Sequence, residues 1–333
     1  MRKSTVVAFV AQLAFAMDAN SCFANVKPTD FDSLFPTSPG LSVARFPLQI
    51  EGLSKFGFIS VGGKLVIPCK YEQATSFSGG FAAVKQGGRW GLIDQSGAVI
   101  VAPHYSYLQP GLENLLPAGD DSKKFGYINT RGEWLIRPKF DFAEAFSGGV
   151  GLVREGDVYR FVDRDGKQGV DGDFQFAQSF SEGLAAVRTD GKWGYIDRAG
   201  KVVIPPRFQS ADQFSEGLAA VGVKQHTNKG SSIKFGYVDA TGQFKVQPEY
   251  IKANRFADGF ACVQFVDGSW SYIDHYGHKS LSWYRKSGDF SSGLAPVEIN
   301  GQLKFIDKRG ETRLIPEQHF LGIFCDGLAV VSP

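Results

Sequence analysis

The chain has 333 residues, 43% of them hydrophobic and 21% charged, and a chain of about 300 residues buries roughly 75% of its unfolded surface, which excludes disorder over most of the length. Its 36 basic and 34 acidic residues give a formal net charge of +2, which excludes a global electrostatic attraction to nucleic acid or anionic membranes. The 29 Phe, 11 Tyr, 5 Trp and 40 Gly, against 2 Met, favour an all-β protein with many turns.

The N-terminus has the pattern of a secretory signal peptide. Two basic residues precede an apolar run over residues 5–16, which ends in an A-x-A-like cleavage site. The run is shorter than the roughly 20 residues that a membrane-spanning helix needs. We therefore expect a signal peptide at 1–16 (alternatively 1–24), a linker at 17–36, no transmembrane segment after cleavage, and a periplasmic or secreted bacterial protein.

From about residue 55 to residue 320 the sequence repeats itself. A phrase of the form aromatic-Gly-aromatic-Ile-Asp-x-x-Gly recurs, most plainly as WGLIDQSG at 90–97 and WGYIDRAG at 193–200. Its closing glycines stand at 63, 97, 132, 166, 200, 242, 277 and 310. All intervals but one are 33 to 35 residues long, and the fifth is 42. This period predicts eight units of one repeat architecture.

Each unit is predicted to contain three antiparallel strands. An upstream Phe-Ser-x-Gly-Leu-Ala-x-Val phrase, as at 180–187, is joined to the aromatic-Gly phrase by Asp-Gly or Asn-Gly pairs, which are strong hairpin signals. A tight turn from Asp to Gly leads to a third apolar run that meets proline, as at 201–205, and proline should stop it from continuing as a central strand. The next ten or so residues are interpreted as a loop with a buried aromatic: Tyr71, Phe140, Phe208 or Tyr250.

These phrases resemble the WG repeat family, the bacterial KWG β-repeats named for the Trp-Gly pair, which stands here at 90–91 and 193–194. The resemblance extends over about 290 of the 333 residues. It implies a β-repeat scaffold without implying a reaction. Departures from the family pattern are Arg160, Ser271 and Lys304 in place of the glycine, and Asp171-Gly172 in place of the proline of the fourth unit.

Units of this size cannot bury their apolar faces alone, so consecutive units must pack on one another. Residues 37–333 are therefore expected to form one continuous domain, a monomer, as an open superhelical array or an approximately closed propeller-like ring. Nine Gly-Leu-type phrases stand against eight Trp-Gly-type phrases. The extra strand favours the open array, although it could also pair with the N-terminal segment.

The polar residues that recur are interpreted as turn formers. Asn129 and Ser60 occupy the slot that holds an acid in other units, which favours turn capping over acid/base or metal chemistry. The acids are Asp94, Asp163, Asp197, Asp239, Asp274 and Asp307. His275 and His278 lack an evident third metal ligand, and no nucleophile elbow, phosphate loop or dinucleotide motif occurs. We therefore expect no catalytic residue, cofactor or metal.

Four cysteines are compatible with zero, one or two disulfides and fit no metal-site spacing. They are Cys22, Cys69, Cys262 and Cys325. Cys262 lies in an apolar, strand-like run, where a buried free thiol is the commoner meaning.

Two departures from the repeat supply candidate partner contacts. The 42-residue interval lengthens one hairpin with the basic, polar residues Lys224, His226 and Lys229, and insertions in repeat proteins often project from a binding face. A tolerated surface loop is the alternative. In the seventh unit, Trp283, Tyr284 and Arg285 combine aromatic and basic groups as contact hot spots do, unless they simply rearrange the core.

We expect a non-catalytic, exported scaffold that binds an unknown protein or an envelope glycan, and not nucleic acid. One alternative is a periplasmic immunity or inhibitor protein. Another is an envelope hydrolase, which requires acids from different units to converge in a concave pocket with at least one perturbed pKa. A structural spacer is the third. The sequence leaves the ligand, the closure of the array, the disulfide pairing and the oligomeric state open.

Overall fold

A computed structural model describes residues 41–42, 56–60, 65–75, 77–111, 113–227, 230–290 and 293–314. The regular elements of these residues are all β-strands, arranged in eight antiparallel sheets that follow one another along the chain. The predicted signal peptide and linker lie outside the described residues. Within the described part, no helix has the length and apolarity that would let it cross a membrane.

The sheets are numbered 1 to 8 in chain order. Sheet 1 has β1 (Leu41–Ser42), β2 (Phe56–Ser60) and β3 (Leu65–Tyr71). Sheet 2 has β4 (Gln73–Ala74), β5 (Phe81–Gln86), β6 (Arg89–Asp94) and β7 (Val99–Tyr105). Sheet 3 has β8 (Tyr107–Leu108), β9 (Leu116–Gly119), β10 (Phe125–Ile128) and β11 (Trp134–Phe140). Sheet 4 has β12 (Phe142–Ala143), β13 (Gly151–Glu155), β14 (Val158–Val162) and β15 (Gln168–Phe174).

The second half continues in the same way. Sheet 5 has β16 (Phe176–Ala177), β17 (Leu184–Thr189), β18 (Lys192–Asp197) and β19 (Val202–Phe208). Sheet 6 has β20 (Ser210–Ala211), β21 (Ala219–Thr227), β22 (Gly230–Val238) and β23 (Phe244–Tyr250). Sheet 7 has β24 (Lys252–Ala253), β25 (Ala261–Gln264) and β26 (Trp270–Ile273), and sheet 8 has β27 (Leu294–Ile299), β28 (Gln302–Asp307) and β29 (Thr312–Leu314).

Sheets 2 to 6 each have four strands, not the three expected from the sequence. The additional strand is only two residues long, as in β16, where Phe176 pairs with Arg188 and Ala177 with Val187. It comes first in each of these sheets, and the four strands then lie side by side in chain order. Two residues are too few to show the alternation by which a strand is recognised in sequence.

The proline-containing run also extends further than expected. In sheet 5, β19 continues through Pro205 and Pro206 to Phe208, which pairs with Trp193. Proline is tolerated because β19 is an edge strand and its register shifts at a bulge. The aromatics assigned to a loop therefore end the last strands of their sheets instead, as Tyr71, Phe140, Phe208 and Tyr250 do in β3, β11, β19 and β23.

The core lies between consecutive sheets. Residues 184–187 of β17 are all buried, because neighbouring sheets cover both faces of sheet 5. A strand that is covered on both faces carries a continuous apolar run. Sheets 5 and 6, for example, share a cluster that contains Tyr195 and Phe208 from one and Phe214 and Val221 from the other. Equivalent clusters join each consecutive pair from sheets 1 and 2 to sheets 7 and 8.

The glycine of the Trp-Gly pair is required by a close backbone approach. A Cβ on Gly194 would lie 2.5 Å from the Ile204 carbonyl oxygen and 2.7 Å from the Pro206 nitrogen. The bulge in the fourth strand thus presses against the third strand at this residue. Gly91, Gly126 and Gly236 face the same contact in their sheets.

The antiparallel order places two kinds of connection at opposite ends of each sheet. The hairpin between the second and third strands, as at Asp190-Gly191 with φ of 49° and 76°, lies at one end, which we call the hairpin rim. The Phe-Ser turns and the Asp-to-Gly turns lie at the other end, which we call the turn rim. The predicted hairpins and turns are confirmed in this arrangement.

Candidate binding surfaces

The repeated acids cap turns on the turn rim. Asp239 Oδ1 accepts hydrogen bonds from the amides of Thr241 and Gln243 at 2.9 and 3.1 Å. A hydrogen bond from the Thr241 hydroxyl, helped by Lys245 and these amides, lowers the pKa of Asp239 to about 2. Asn129 accepts the equivalent two amides at 2.9 and 3.0 Å. The same pattern occurs at Asp94, Asp163, Asp197, Asp274 and Asp307.

The repeated hydroxyls join one sheet to the next. Ser181 Oγ donates to the Phe214 carbonyl oxygen at 2.7 Å, and Ser147 and Ser215 make the same bond to the sheet that follows them. The buried Tyr195 hydroxyl donates to the Asp212 carbonyl oxygen at 2.7 Å. The hydroxyl groups of these serines and tyrosines are therefore engaged in hydrogen bonds between neighbouring sheets.

The two histidines of the seventh unit have separate carboxylate neighbours. His275 Nε2 lies 3.1 Å from Glu216 Oε2, and its ring stacks on Phe256 with centroids 4.3 Å apart. His278 Nδ1 lies 3.2 Å from Asp274 Oδ2. In the described part of the chain, no group of three or more His, Cys, Asp and Glu side chains is arranged to hold a metal ion.

Cys262 is a buried free thiol, as its sequence context suggested. Its Sγ lies 2.9 Å from the Ser287 hydroxyl, and burial raises the pKa of the thiol to about 12. A thiol with so little thiolate at neutral pH is a poor nucleophile. Cys22 and Cys325 lie outside the described residues.

The lengthened hairpin is an extension of sheet 6 beyond the hairpin rim. Strands β21 and β22 have nine residues each, and their pairing runs as far as Thr227 and Gly230. We call residues 223–234 the ribbon. The lengthened hairpin predicted from the sequence is confirmed, and its described residues form a regular two-stranded ladder.

One face of the ribbon is exposed and carries two of the predicted contact residues. Lys224 pairs with Ile233 and His226 with Ser231, and all four are exposed. Ile233 is 46% exposed, and the His226 ring nitrogen Nδ1 lies 2.9 Å from the Ser231 hydroxyl. On the other face, the Gln225 side chain donates to the Pro248 carbonyl oxygen at 2.7 Å. Lys229 lies outside the described residues.

The second predicted group is divided between surface and core. Trp283 is 50% exposed. Its ring meets Phe265 edge to face at 4.4 Å, and the Lys279 ammonium lies 3.4 Å from its centroid. Arg285 is exposed, with its guanidinium 3.7 Å from Glu298. Tyr284 is buried and bridges to Trp270 as Phe208 pairs with Trp193, so we assign it to the framework and not to a contact surface.

Sequence reasoning missed two half-buried carboxyl groups, Glu144 directly after β12 and Asp289 ahead of β27. Burial raises the pKa of Glu144, which accepts a hydrogen bond from the Ser179 hydroxyl. Burial also raises the pKa of Asp289, and the negative charge of Asp212 raises it further. The Asp289 carboxylate accepts a hydrogen bond from the Asn254 side-chain amide at 2.7 Å. Glu144 of the fourth unit is bonded to Ser179 of the fifth, and Asp289 of the eighth unit is bonded to Asn254 of the seventh. The two acids could have been found only by aligning the units, because a carboxyl at either position has no counterpart in most other units.

A cleft of about 520 Å³ lies at the foot of the ribbon. Its walls include Arg207, Phe208 and Gln247 from fourth strands and Val223 from the ribbon. Arg207 Nη2 donates to the Gly242 carbonyl oxygen at 2.5 Å. The wall of this cleft contains neither Glu144 nor Asp289, so it does not bring those acids together as a hydrolase site requires.

Comparisons with known proteins identify the repeat. The model of a family described as WG containing repeat matches residues 56–90, 90–115, 125–159, 159–193, 193–224 and 235–275, more than half of the chain. A comparison with curated proteins finds no relative.

Solved structures share the β-architecture only distantly. The computationally designed Ika8 protein is 13% identical, with a TM-score of 0.49 over 83% of this chain and 93% of that chain. BamB from Moraxella catarrhalis is 13% identical, with a TM-score of 0.47 over 83% of this chain and 90% of that chain. Hsv2p from Kluyveromyces lactis is 9% identical, with a TM-score of 0.45 over 71% and 92%. Likenesses at this level carry no information about function.

Proposed function

Because the chain belongs to the WG repeat family, a family of β-repeat scaffolds, we propose that it is an exported, non-catalytic scaffold that binds a partner protein or an envelope glycan through the ribbon of sheet 6. The observation that carries this proposal is the ribbon itself. It projects past the hairpin rim of an otherwise regular array and presents exposed cationic and apolar side chains on one face.

The hydrogen bonds of the repeated polar side chains support a role as a scaffold rather than as an enzyme. The aspartates bind turn amides, the serines bind carbonyl groups of the next sheet, and the buried tyrosines do the same. A catalytic group has to be free to meet a substrate at a pKa near the working pH. The groups that recur most regularly here are engaged in holding the fold.

The ribbon contributes little to the core, which supports a role in binding rather than in stabilising the fold. A two-stranded hairpin that is not covered is only marginally stable in water. In the described part of the ribbon, contacts back to the sheet include those of Val223 and Gln225 near its base. Residues 223–234 include three lysines and no acid, so a partner with an acidic surface is favoured by charge complementarity.

Export is proposed from the N-terminal signal pattern alone. Fractionation of the native host, with mass spectrometry of the N-terminal peptide, would measure both location and cleavage. We expect a mature N-terminus after residue 16 or residue 24. Recovery of uncleaved protein from the cytoplasm would contradict export without affecting the binding proposal.

The binding proposal is tested by shortening the ribbon. Replacing residues 224–233 with Asp-Gly copies the hairpin of sheet 5 and restores the 34-residue interval. Partners captured from envelope fractions by both proteins are identified, purified and titrated. We expect affinity for the ribbon-dependent partner to fall by about tenfold or more, because several central contacts are removed together.

A matched control reverses charge on the neighbouring hairpin, with Arg188→Glu and Lys192→Glu in sheet 5. This variant should keep full affinity. Equal affinity of the shortened and full-length proteins for every purified partner would refute a binding role for the ribbon.

A further inference from the structure

The segment that follows β26 in sheet 7, where sheets 2 to 6 have their fourth strand, is shortened by a deletion. From Gly277 to the buried Tyr284 there is one residue fewer than between the matching Gly200 and Phe208 of sheet 5. Residues 279–284 form no regular strand and are held by two isolated bridges, Ile273 to Lys279 and Trp270 to Tyr284. This segment therefore lacks the residue that forms part of the bulge in β19 of sheet 5.

The residue opposite this deletion is altered as well. Ser271 stands where Gly194 stands in sheet 5 and is fully buried. Its hydroxyl oxygen lies 2.9 Å from the Leu281 carbonyl oxygen and 3.2 Å from that of Ser282. The shortened segment leaves room for a side chain that the bulge excludes at Gly194, so the local geometry of this sheet is distinct and internally bonded.

A cleft of about 440 Å³ lies between this segment and the Asp-to-Gly turn of sheet 8. It is lined by Lys279, Ser280, Leu281, Ser282, Arg309 and Gly310. In sheet 5 the residues matching Lys279 and Ser280 are Val202 and Val203. An apolar pair has thus been replaced by a cation and a hydroxyl, and no carboxylate lines the cleft.

The two cations keep hydrogen-bonding capacity. Lys279 lies over the Trp283 ring and, among the described residues, forms no ion pair. Arg309 Nε is 3.9 Å from Asp307 Oδ2, beyond hydrogen-bond distance. That carboxylate is already bonded to Arg313 at 2.8 Å and to two turn amides.

We propose that this cleft binds the phosphate or sulfate group of a larger molecule. The Lys279 ammonium and the Ser282 hydroxyl on one wall and the Arg309 guanidinium on the other supply donors of the kind that bind tetrahedral oxyanions through charge-assisted hydrogen bonds. The Ser280 hydroxyl donates to the His278 carbonyl oxygen at 3.3 Å. The cleft is open to solvent, which leaves space for the group to which the oxyanion is attached. Trp283 lies outside this lining and contacts the Lys279 ammonium, which is 3.4 Å from its ring centroid.

Calorimetric titration of the full chain with sodium phosphate, sodium sulfate and phosphatidylglycerol vesicles tests this site. The test variant combines Lys279→Val and Arg309→Thr, which copies Val202 and Thr241 of sheets 5 and 6. We expect binding of at least one probe by the wild type, weakened about tenfold or more in the variant, because two charge-assisted bonds are lost. Circular dichroism verifies that the variant is folded.

The control variant carries Lys201→Gln and Lys252→Gln, which removes the same charge from exposed positions away from the cleft. It should bind as the wild type does. Binding of the free anions identifies a soluble phosphate or sulfate ligand, and binding of vesicles alone identifies a lipid headgroup. No binding of any probe by the wild type, or equal binding by the test variant, overturns the proposal.

The site is independent of the ribbon. The protein with the shortened ribbon should bind the same probe with unchanged affinity. Failure of the oxyanion site would therefore leave the ribbon proposal standing, and failure of the ribbon would leave this one standing.

Discussion

At the scale of single residues, the environment of a carboxyl group decides what it does. Asp239 lies on a turn where amides and a hydroxyl point at it, so its ionised form is favoured. Glu144 lies between sheets, where desolvation penalises the charge. The same chemical group therefore stabilises the fold at neutral pH in the first case and opposes it in the second.

The two classes of carboxyl predict opposite effects of acid. Asp239 has a lowered pKa, so its contribution is complete above the unfolded pKa of about 3.9 and is lost as the pH falls through about 2. Glu144 has a raised pKa, so the native state binds its proton more tightly than the unfolded state does. Lowering the pH through the pKa of Glu144 therefore removes a destabilising charge.

Glu144→Gln should raise the free energy of unfolding at pH 7, because the amide cannot ionise and still accepts a bond from Ser179. The gain should shrink as the pH falls and Glu144 itself becomes protonated. Urea titrations at several pH values measure both effects. Asp157→Asn, at an exposed hairpin position, should change stability little, and a loss of stability in Glu144→Gln at pH 7 would contradict the assignment.

At the scale of the element, the fourth strand determines what its neighbour can be. A bulge that contains proline forces glycine at the third strand, as at Gly194, whereas the shortened segment after β26 in sheet 7 accepts Ser271. The fourth unit offers a further solution. Arg160 replaces the glycine there, Gly172 takes φ of 126°, and Arg160 pairs with Asp173 at 2.6 Å.

The reciprocal exchange tests this coupling. Gly194→Ser should destabilise the protein by about 1–3 kcal/mol, because its Cβ would overlap backbone atoms of the bulge. Ser271→Gly should also destabilise it, by about 1–2 kcal/mol, because the buried Leu281 carbonyl group loses its donor and glycine costs backbone entropy.

Thermal and urea unfolding measure both variants. Gly111→Ala is the control, since its nearest neighbour would be the Ala145 side chain at 3.4 Å, and it should be close to neutral. Tolerance of serine at position 194 would show that the bulge yields, which would refute the coupling.

Much of the element pattern was predictable from sequence, because hairpins and Asp-to-Gly turns depend on local backbone preferences. Asp190 and Gly191 take the positive φ that the pair implies. The short first strand and the passage of β19 through two prolines were not predictable, because both depend on which sheet edge is free. The candidate contact residues were predictable in part. Lys224 and His226 lie on the exposed ribbon, as their sequence context suggested. The cleft proposed to bind an oxyanion was not predictable, because Arg309 comes from the turn of the following unit.

At the scale of the whole molecule, the described chain is held by contacts between neighbours. Each apolar cluster draws its members from two consecutive sheets. Hydroxyl bonds such as Ser181 to Phe214 cross the same boundaries. Stability in such an array is approximately a sum of unit terms and neighbour interfaces.

Removing one complete unit should therefore preserve folding. Deletion of residues 176–209 takes out sheet 5 and the residue after it and joins sheets 4 and 6 in phase. We expect β-sheet circular dichroism and cooperative unfolding to persist. Deletion of residues 176–192 removes half a unit and leaves third and fourth strands without their partners, and we expect it to abolish cooperative unfolding. If both deletions unfold the protein alike, neighbour contacts alone do not explain its stability.

The amino-acid sequence by itself determined the β-class, the eightfold period, the hairpin positions and the lengthened hairpin, since each is written in residues a few places apart. Tertiary structure decided that Tyr284 belongs to the core, that sheets 2 to 6 have a fourth strand, and that Lys279 and Arg309 share a cleft. Those outcomes depend on which surface the next sheet covers. Burial, edge position and convergence are properties of neighbours about 34 residues away, and no local pattern encodes them.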